Sequence, residues 1–334
     1  MVSKRHQAIS VTAILLLATG AASARSHKFL NFDVPGKPNT IPSDINDNNT
    51  VIGTYTAKRS ERGFVRFSDG TFQTFNVAHA NSTVPSDINN NDEIAGYFFD
   101  SSFKMHSFIR TPEGTITNID VPGFESTYVI AINDNGDTVG TFGNSGEPFH
   151  GFLRKNTGEL VSFDPADSIS TTATSINNDR TIVGSYCTAL CATSETGFVR
   201  SPNGDIVTFS VDGATRTEPA TINAEGEIAG RFVSDTAQGF VRSPNGKITV
   251  FSECQYAPGL NDAGWAAGAS VRNQVSHGCI RAPNGTVTSL DHPKAHGASS
   301  YGTSVNGINS ERYVTGWYSD ARGHYHGFIV RPEK

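Results

Sequence analysis

The sequence is poor in charge, and no part of it has the periodicity of a long amphipathic helix. Charged residues make up 17% of the 334 residues and hydrophobic residues 37%, whereas the chain contains 33 glycines and 15 prolines. Asn, Ser and Thr are also frequent. This composition argues against a helical architecture and is typical of an all-β protein with many turns.

Signatures of catalysis are also missing. The chain has no Gly-x-Ser-x-Gly elbow, no His-Glu-x-x-His motif, no phosphate-binding loop and no Asp-box. Paired carboxylates for glycoside cleavage cannot be chosen from spacing alone. We therefore expect no catalytic residues, no cofactor and no resident metal ion.

Long apolar runs are confined to the N-terminus. Lys4, Arg5 and His6 precede an apolar run from Val11 to Leu17, and Ala22-Ser23-Ala24 follows it. This pattern predicts a cleaved signal peptide over residues 1–24, with an uncleaved anchor as the alternative. The mature chain, residues 25–334, is then exported to the periplasm or secreted, and we expect no membrane insertion because no second apolar run follows.

The net charge is acidic. The whole chain carries a formal charge of −6, and removal of Lys4 and Arg5 with the signal peptide takes it to −8. An acidic protein repels phosphate backbones and anionic lipids. We therefore expect no nucleic-acid partner.

The dominant feature of the sequence is a seven-fold internal repeat. Each copy has an apolar-Asn pair, an apolar segment containing Gly, and then Gly-Phe-apolar-Arg. Successive anchor asparagines are separated by 43, 44, 44, 46, 38 and 48 positions. A period of this length means that each unit buries its apolar face only by stacking on its neighbours. The anchors are Asn46, Asn89, Asn133, Asn177, Asn223, Asn261 and Asn309.

One unit has the size and turn pattern of a β-propeller blade. From Pro42 to Val77, four short apolar segments are separated by turn residues, among them Asp47-Asn48-Asn49 and Ser68-Asp69-Gly70. Such turns join antiparallel strands, and four strands in about 40–45 residues make one blade. The sequence therefore predicts one all-β domain, a seven-bladed β-propeller over residues 25–334.

The two ends of the repeat predict closure of a ring. The last unit stops after its third strand, His326 to Arg331, while the mature N-terminus begins with a fourth-strand segment, Phe29 to Gly36. The N-terminal strand should therefore complete the seventh blade and remove an exposed sheet edge.

Two repeated positions have a predicted packing role. Glycine in the second strand is expected to let neighbouring blades approach closely. Phenylalanine in the third strand is expected to wedge between blades, with Cys279 in its place in the sixth unit. The glycines are Gly53, Gly96, Gly140, Gly184, Gly230, Gly268 and Gly316, and the phenylalanines are Phe64, Phe108, Phe152, Phe198, Phe240 and Phe328.

Four cysteines in an exported chain predict disulfides. Three pairings are open, and free thiols are the alternative. Because Cys187 and Cys191 share one loop, whereas Cys254 ends one unit shortly before Cys279 in the next, we favour Cys187–Cys191 and Cys254–Cys279.

The segments Ile132-Asn133-Asp134-Asn135-Gly136 and His150-Gly151-Phe152-Leu153-Arg154 resemble the HAF family of bacterial extracellular repeats, named for a His-Ala-Phe-like triplet. The resemblance covers essentially the whole mature chain and implies a secreted protein, but it implies no activity. The histidines of the triplets, His106, His150, His277 and His326, lie on different units and cannot converge on one ion. We interpret them as structural residues that bond a neighbouring loop.

Two other features admit a functional interpretation. The asparagine-rich turns lack the ligand pattern of calcium loops, so bonds to their own backbone explain them more simply. Asp44 and Asp87 precede the anchor asparagines and would make one side of the central channel acidic, although a structural, water-filled channel is the simpler interpretation.

The candidate ligand site lies on the least regular loops. The sixth-to-seventh crossover carries His292, His296 and Tyr301, and the seventh unit carries Tyr318, His324 and Tyr325. In a propeller these loops emerge on the same face, where function usually resides. A transition-metal site there is an alternative only if the loops meet.

Taken together, these features predict a monomeric, non-catalytic binding scaffold whose partner on the loop face is a glycan or an extracellular protein. The alternatives are a propeller enzyme acting on polysaccharide, either a lyase or a hydrolase, and a structural cell-surface protein. An enzyme would need a cluster of carboxylate, His, Tyr or Arg groups with perturbed ionisation at one mouth of the channel.

Overall fold

The structure is a computed structural model that describes residues 27–189, 191–296 and 302–331. Every regular element in these ranges is a β-strand, and the strands form seven four-stranded antiparallel sheets. The predicted signal peptide, residues 1–24, lies outside the described residues.

Each sheet is one blade. Within a blade, the strands are called first to fourth from the channel outwards, whereas the labels β1 to β28 follow the order of the chain. The innermost strands are β2 (Thr40–Ile45), β6 (Ser82–Ile88), β10 (Ser126–Ile132), β14 (Ser170–Ile176), β18 (Arg216–Ile222), β22 (Tyr256–Leu260) and β26 (Thr303–Ile308). The second strands are β3 (Val51–Ala57), β7 (Ile94–Phe99), β11 (Thr138–Gly143), β15 (Ile182–Cys187), β19 (Ile228–Val233), β23 (Ala266–Arg272) and β27 (Val314–Ser319). The third strands are β4 (Ser60–Arg66), β8 (Met105–Arg110), β12 (His150–Arg154), β16 (Thr196–Arg200), β20 (Ala237–Arg242), β24 (Val275–Arg281) and β28 (Tyr325–Val330). The outermost strands are β5 (Phe72–Phe75), β9 (Ile116–Asn118), β13 (Leu160–Phe163), β17 (Ile206–Phe209), β21 (Ile248–Phe251), β25 (Val287–Ser289) and, in the seventh blade, β1 (Phe29–Phe32).

This order confirms the predicted seven-bladed propeller. The turns between first and second strands and between third and fourth strands lie at one end of the ring, which we call the turn face. Hairpins between second and third strands and crossovers between blades lie at the other end, the loop face. Each innermost strand therefore runs from the loop face to the turn face.

The predicted closure is also confirmed. β1 pairs antiparallel with β28, with Phe29 opposite Val330 and Phe32 opposite Gly327. The N-terminal strand thus completes the seventh blade, and no described blade has an unpaired innermost or third strand.

The repeated glycine is required by close packing within its own blade. The expectation that it lets neighbouring blades approach closely was therefore wrong. Each innermost strand has an irregular pairing with its second strand, as between Val129 and Ala131. A Cβ on Gly140 would lie 1.9 Å from the main-chain oxygen of Tyr128, in the same blade. The bulged strand therefore leaves no room for a side chain at this position.

The phenylalanine wedge is confirmed. Phe108 is fully buried and packs with Ile52 and Val65 of the preceding blade. The arginine that ends the same motif, Arg110, stacks 5.0 Å from the ring centre of Phe75 on the preceding blade's outer strand. Gly-Phe-apolar-Arg is therefore an inter-blade packing motif.

Both favoured disulfides are present. Cys187–Cys191 closes the hairpin loop of the fourth blade, and Cys254–Cys279 joins the end of the fifth blade to the third strand of the sixth. Cys279 is 1% exposed and fills the place of the repeated phenylalanine. Two disulfides suggest an oxidising, extracytoplasmic environment.

Candidate functional site

The anchor asparagines form a closed ring of seven hydrogen bonds near the turn face. Each side-chain Nδ2 donates to the main-chain oxygen of the equivalent asparagine in the next blade, and the ring closes where Asn309 donates to Asn46 at 3.0 Å. The other donors, in order, are Asn46, Asn89, Asn133, Asn177, Asn223 and Asn261, at 2.9, 3.0, 3.0, 3.3, 3.1 and 2.9 Å.

The side-chain oxygen of each anchor asparagine accepts hydrogen bonds from the turn that follows it. Asn133 Oδ1 accepts from the N–H groups of Asn135 at 3.1 Å and Asp137 at 2.9 Å. Both ends of the side chain are thus used, one within the blade and one between blades. The repeated asparagine is therefore structural and is not needed to bind a ligand.

A polar cavity of about 410 Å³ occupies the channel between this ring and Tyr256. Asp44 and Asp87 face it from adjacent blades. Burial raises the pKa of Asp44 well above its ordinary value, and the charge of Asp87 raises it further. Burial also raises the pKa of Asp87, although the N–H groups of Ile88 and Ile132, which donate to it at 2.9 and 2.8 Å, oppose this change. The raised pKa of Asp44 thus favours its protonated form beside the carboxyl of Asp87.

The other polar groups in this cavity also join blades. Ser43 Oγ donates to the Pro85 carbonyl at 3.0 Å, and Asn306 Nδ2 donates to the Pro42 carbonyl. Thr174 Oγ1 donates to Pro219 at 2.9 Å. Because these side chains already have partners in the next blade, the cavity is better explained by ring assembly than by ligand binding.

Each repeated histidine contacts an aspartate. In three blades this aspartate lies fourteen positions later in the chain, and in the seventh blade it is Asp33, which follows the N-terminal strand β1. The aspartate lies at the end of the outermost strand of the same blade. The blades without this histidine, which have Arg62, Thr196 and Gln238 there, have Asn76, Ser210 and Ser252 in place of the aspartate. This pattern supports the structural interpretation. The Nδ1–carboxylate distances are 2.9 Å for His106–Asp120, 2.7 Å for His150–Asp164, 3.0 Å for His277–Asp291 and 2.9 Å for His326–Asp33.

Of the candidate ligand residues, His292 and Tyr318 meet in the protein interior. Their rings stack with centroids 3.7 Å apart, and they are 3% and 5% exposed. His292 Nδ1 accepts from Lys294 N–H at 3.1 Å, so Nε2 carries the proton and donates to Asn31 Oδ1 at 2.8 Å. Burial lowers the pKa of His292 to about 4. These two residues therefore help to hold the N-terminal strand β1 in the seventh blade.

The remaining described candidates are more exposed than this pair. His296 and His324 are exposed, whereas Tyr325 is half-buried and packs edge-on against Trp317, with ring centroids 4.9 Å apart. Tyr301 lies outside the described residues. Among the described residues, no group of three or more His, Cys, Asp or Glu side chains is placed to hold a metal ion.

A second group of polar and aromatic side chains surrounds the channel where it opens on the loop face. We call this group the mouth cluster; it consists of Tyr97, Tyr128, Tyr256, Glu195, Arg216, Glu218 and Arg231. Tyr97 and Tyr128 contact each other edge to face, with ring centroids 4.7 Å apart. Tyr256 projects from the sixth blade and is 46% exposed. Burial raises the pKa of Tyr128, and the hydroxyl of Tyr256 raises it further.

The charged part of the mouth cluster is an alternating chain of ion pairs. Arg216 Nη2 lies 3.3 Å from Glu195 and 2.8 Å from Glu218, and Arg231 also binds Glu218 through two nitrogens. Glu195 reaches this position because its backbone bridges to the fifth blade: its N–H donates to Thr215 and its carbonyl accepts from Thr217. The loop that carries Glu195 is the one closed by Cys187–Cys191.

The ionisation of the mouth cluster favours binding over proton transfer. Burial, followed by the charges of Tyr128 and Glu61, raises the pKa of Tyr97 to about 12. Burial also raises the pKa of Tyr256, against the effect of Arg231. These hydroxyls therefore stay protonated and are available to donate hydrogen bonds to a ligand, whereas a tyrosine base needs a lowered pKa. Burial raises the pKa of Glu195, but Arg216 opposes this change.

The mouth cluster was not identified from sequence. Its channel-facing members share one position of the repeat, two residues before the irregular pairing of the innermost strand. The sequence does contain a signal for this site, because the type of side chain at this position changes from blade to blade, whereas the types at the two flanking positions do not. Around the ring it is occupied by Ile41, Val84, Tyr128, Thr172, Glu218, Tyr256 and Ser304.

Comparisons with known proteins define the class of fold. No family model matches the chain, and no curated protein matches it. Among solved structures, a catalytically inactive variant of virginiamycin B lyase from Staphylococcus aureus, with quinupristin, is similar with a TM-score of 0.61 and 14% identity, over 91% of this chain and 99% of that one. The protein is thus a propeller of the same general architecture.

Two further structures support this class. The β-propeller domain of the trilobed protease from Pyrococcus furiosus has a TM-score of 0.60 and 10% identity, over 89% of this chain and 95% of that one. TolB from Acinetobacter baumannii has a TM-score of 0.52 and 12% identity, over 88% and 63%. At these identities the likeness concerns the fold alone. In the described part of the chain, no helix is long and apolar enough to cross a membrane.

Proposed function

We propose that this protein is an exported, non-catalytic glycan-binding propeller whose site is the mouth cluster. The observation that carries this proposal is the convergence of three tyrosines and two arginine–glutamate pairs at one end of the channel. The site lies on the loop face, where a rigid ring presents side chains from several blades to one ligand.

The chemistry of the mouth cluster suits a sugar. A sugar ring presents C–H groups on its faces and hydroxyls around its edge, so it stacks on an exposed aromatic ring and exchanges hydrogen bonds with polar neighbours. Tyr256 offers both, since nearly half of its surface is exposed and its hydroxyl stays protonated. Arg231 and Glu218 supply fixed donors and acceptors beside it.

The absence of turnover is part of the proposal. Arg216 is ion-paired with both glutamates of the mouth cluster, at 3.3 Å from Glu195 and 2.8 Å from Glu218, so both carboxyl groups are engaged within the protein. Glycoside hydrolysis needs one neutral carboxyl and one carboxylate acting on the same bond. The Asp44–Asp87 pair brings two carboxyls with raised pKa values together, but it lies deeper in the channel, beyond Tyr256, and Asp87 is bonded to the next blade.

A polysaccharide lyase or hydrolase is the competing function, and the mouth cluster is the observation that favours it. Carboxylates, tyrosines and arginines gather at one channel mouth with shifted pKa values. Loss of polymer length or release of new reducing ends by the pure protein would decide for this function.

The test is a glycan array with the mature chain, residues 25–334, run with and without chelator. Tyr256→Ala should weaken binding by about fivefold, because one stacked ring contributes roughly 1 kcal/mol. Tyr256→Phe keeps the ring and should lose less. The matched control is Phe103→Ala, which removes an aromatic ring that is 78% exposed on a loop-face hairpin away from the mouth.

Binding to no glycan would reject the proposal, and an extracellular protein partner would then be the next candidate. Equal loss from Tyr256→Ala and Phe103→Ala would move the site away from the mouth. Export itself and membership of the HAF repeat family are also proposals; N-terminal sequencing of the exported protein, expected to begin at Arg25, tests the first.

A further inference from the structure

The loop face divides into a basic part and an acidic part. Exposed cations lie in the loops of the sixth, seventh and first blades, which are neighbours across the closure. We call these residues the basic arc. They are Lys37, Lys58, Arg59, Arg272, Lys294 and Arg322.

The loops of the second to fifth blades have the opposite character. Lys104 is their one cation in the described part of the chain, and it is paired with Glu125 at 3.1 Å. The anions of these loops are Asp100, Asp120, Glu125, Glu147, Asp164, Asp167, Glu195, Asp212, Asp235 and Glu253. The basic arc is therefore a local exception in a chain whose net charge is −6.

The basic arc is not neutralised by its own loops. Their three aspartates, Asp33, Asp291 and Asp320, each lie within 3.5 Å of a histidine nitrogen. The one further carboxylate close to the arc in the described sequence is the exposed Glu61, at the start of β4. Across residues 27–189, 191–296 and 302–331, no cation of the basic arc lies within 4.0 Å of a carboxylate. Six cations without partners at one side of a proposed site favour an anionic ligand.

The basic arc also carries the exposed members of the sequence-predicted patch. His296 follows Lys294 on the same crossover, and His324 follows Arg322 on the same hairpin. Trp317 and Tyr325 lie on the second and third strands of the same blade, and their rings contact each other edge-on. The basic arc is therefore accompanied by aromatic rings on the seventh blade.

We propose that the ligand of the mouth cluster is an acidic polysaccharide, a polyuronate, whose carboxylates bind the basic arc while a sugar ring stacks at the mouth. This inference rests on the proposed glycan-binding function. A polyuronate carries one carboxylate per sugar. Nucleic acid carries a denser charge, and the acidic part of the same face would repel it.

The experiment compares polygalacturonate with its fully methyl-esterified form, which has the same backbone without the charge. Binding of the mature protein is measured by calorimetry or biolayer interferometry at about 0.05 M and about 0.5 M salt. We expect the ester to bind at least about tenfold more weakly, and the acid form to lose about tenfold at the higher salt because screening weakens exposed charge pairs.

The variant Lys58→Glu/Arg59→Glu should reduce binding of the acid form by about tenfold or more and leave binding of the ester unchanged. The control, Lys155→Glu/Lys247→Glu, makes the same charge change in turns of the turn face and should leave both unchanged. Equal melting temperatures of the two variants would show that the ring stays folded.

The outcomes separate the two proposals. Equal binding of acid and ester, or of a neutral glycan alone, would overturn the basic arc as a binding site and leave the glycan function intact. Duplex DNA that competes as well as polygalacturonate would overturn it in favour of a general polyanion surface. If no saccharide binds at all, the proposed function fails and this inference fails with it.

Discussion

The side-chain amide of Asn309 donates to the main-chain oxygen of Asn46, 263 positions earlier in the chain, at a distance of 3.0 Å. This bond joins the seventh blade to the first and completes the asparagine ring. The same boundary carries the pairing of β1 with β28. The ring is therefore closed both by a hydrogen bond between the first and seventh blades near the channel and by the pairing of the outermost strand β1 with β28.

The asparagine ring should be a major contributor to stability. Asn133→Ala removes one inter-blade donor and an acceptor of two turn N–H groups, at a site that is 4% exposed. Because it leaves buried groups without partners, we expect a loss of about 2–4 kcal/mol in the free energy of unfolding. Denaturant unfolding measures it.

The control is Asn135→Ala in the same turn, where the exposed side chain donates to the Asn178 carbonyl at 2.7 Å. Water can replace that bond, so the loss should stay below about 1 kcal/mol. Equal losses for the two variants would contradict a special role for the ring.

The Asp44–Asp87 pair should reduce stability as pH rises. A carboxyl whose pKa is raised in the folded state stabilises the fold fully below its unfolded pKa, and this contribution is lost as pH rises through the folded pKa. Asp44→Asn supplies a permanent donor of the same shape. We expect a melting temperature higher than the parent's by on the order of 3 °C at neutral pH, and no gain near pH 3. A gain that does not depend on pH would contradict the raised pKa of Asp44.

His292 should make the closing blade sensitive to acid. Its pKa falls from 6.5 to about 4 on folding because the ring is buried, so its contribution is complete above pH 6.5 and is lost as pH falls toward 4. Val34 fills the equivalent buried position beside β1. The stability difference between the parent and His292→Val should therefore shift by about 2–3 kcal/mol in favour of the variant between pH 8 and pH 4.5. A constant difference would show that His292 titrates normally.

The histidine–aspartate pairs should behave as exchangeable units. Replacing His277 and Asp291 by the residues of the fifth blade gives His277→Gln/Asp291→Ser. Because both side chains are partly exposed, each single change should cost little, and the double variant should recover about 0.5 kcal/mol relative to the sum. Strict additivity in a double-mutant cycle would argue that the pair is not coupled.

The repeat made the fold predictable. Seven copies of one pattern report seven times on the same strands and turns, and the incomplete last unit, from His326 onward, required a fourth strand that Phe29 to Phe32 supply. The role of the glycine was less accessible. Sequence shows that a small residue is needed at Gly140, but only coordinates show that the obstacle is the Tyr128 carbonyl of its own blade.

The candidate site was less predictable than the fold. His292 and Tyr318 look like ligand residues in sequence because they are rare aromatic and imidazole groups in irregular segments, yet they stack inside the blade. Tyr97, Tyr128 and Tyr256 are spread over the chain, and their proximity depends on the ring bringing its third and sixth blades to opposite sides of a narrow channel. Spacing along the chain carries no such information.

Hydrogen exchange with and without the best-binding glycan of the array tests the central claim, that the loop face is the binding face. The account predicts protection of amides at the start of β22, around Tyr256, and in the loops that carry Lys58 and Arg322, with no change in the turn that carries Asn135. Protection confined to the turn face, with the Tyr256 region unchanged, would contradict it.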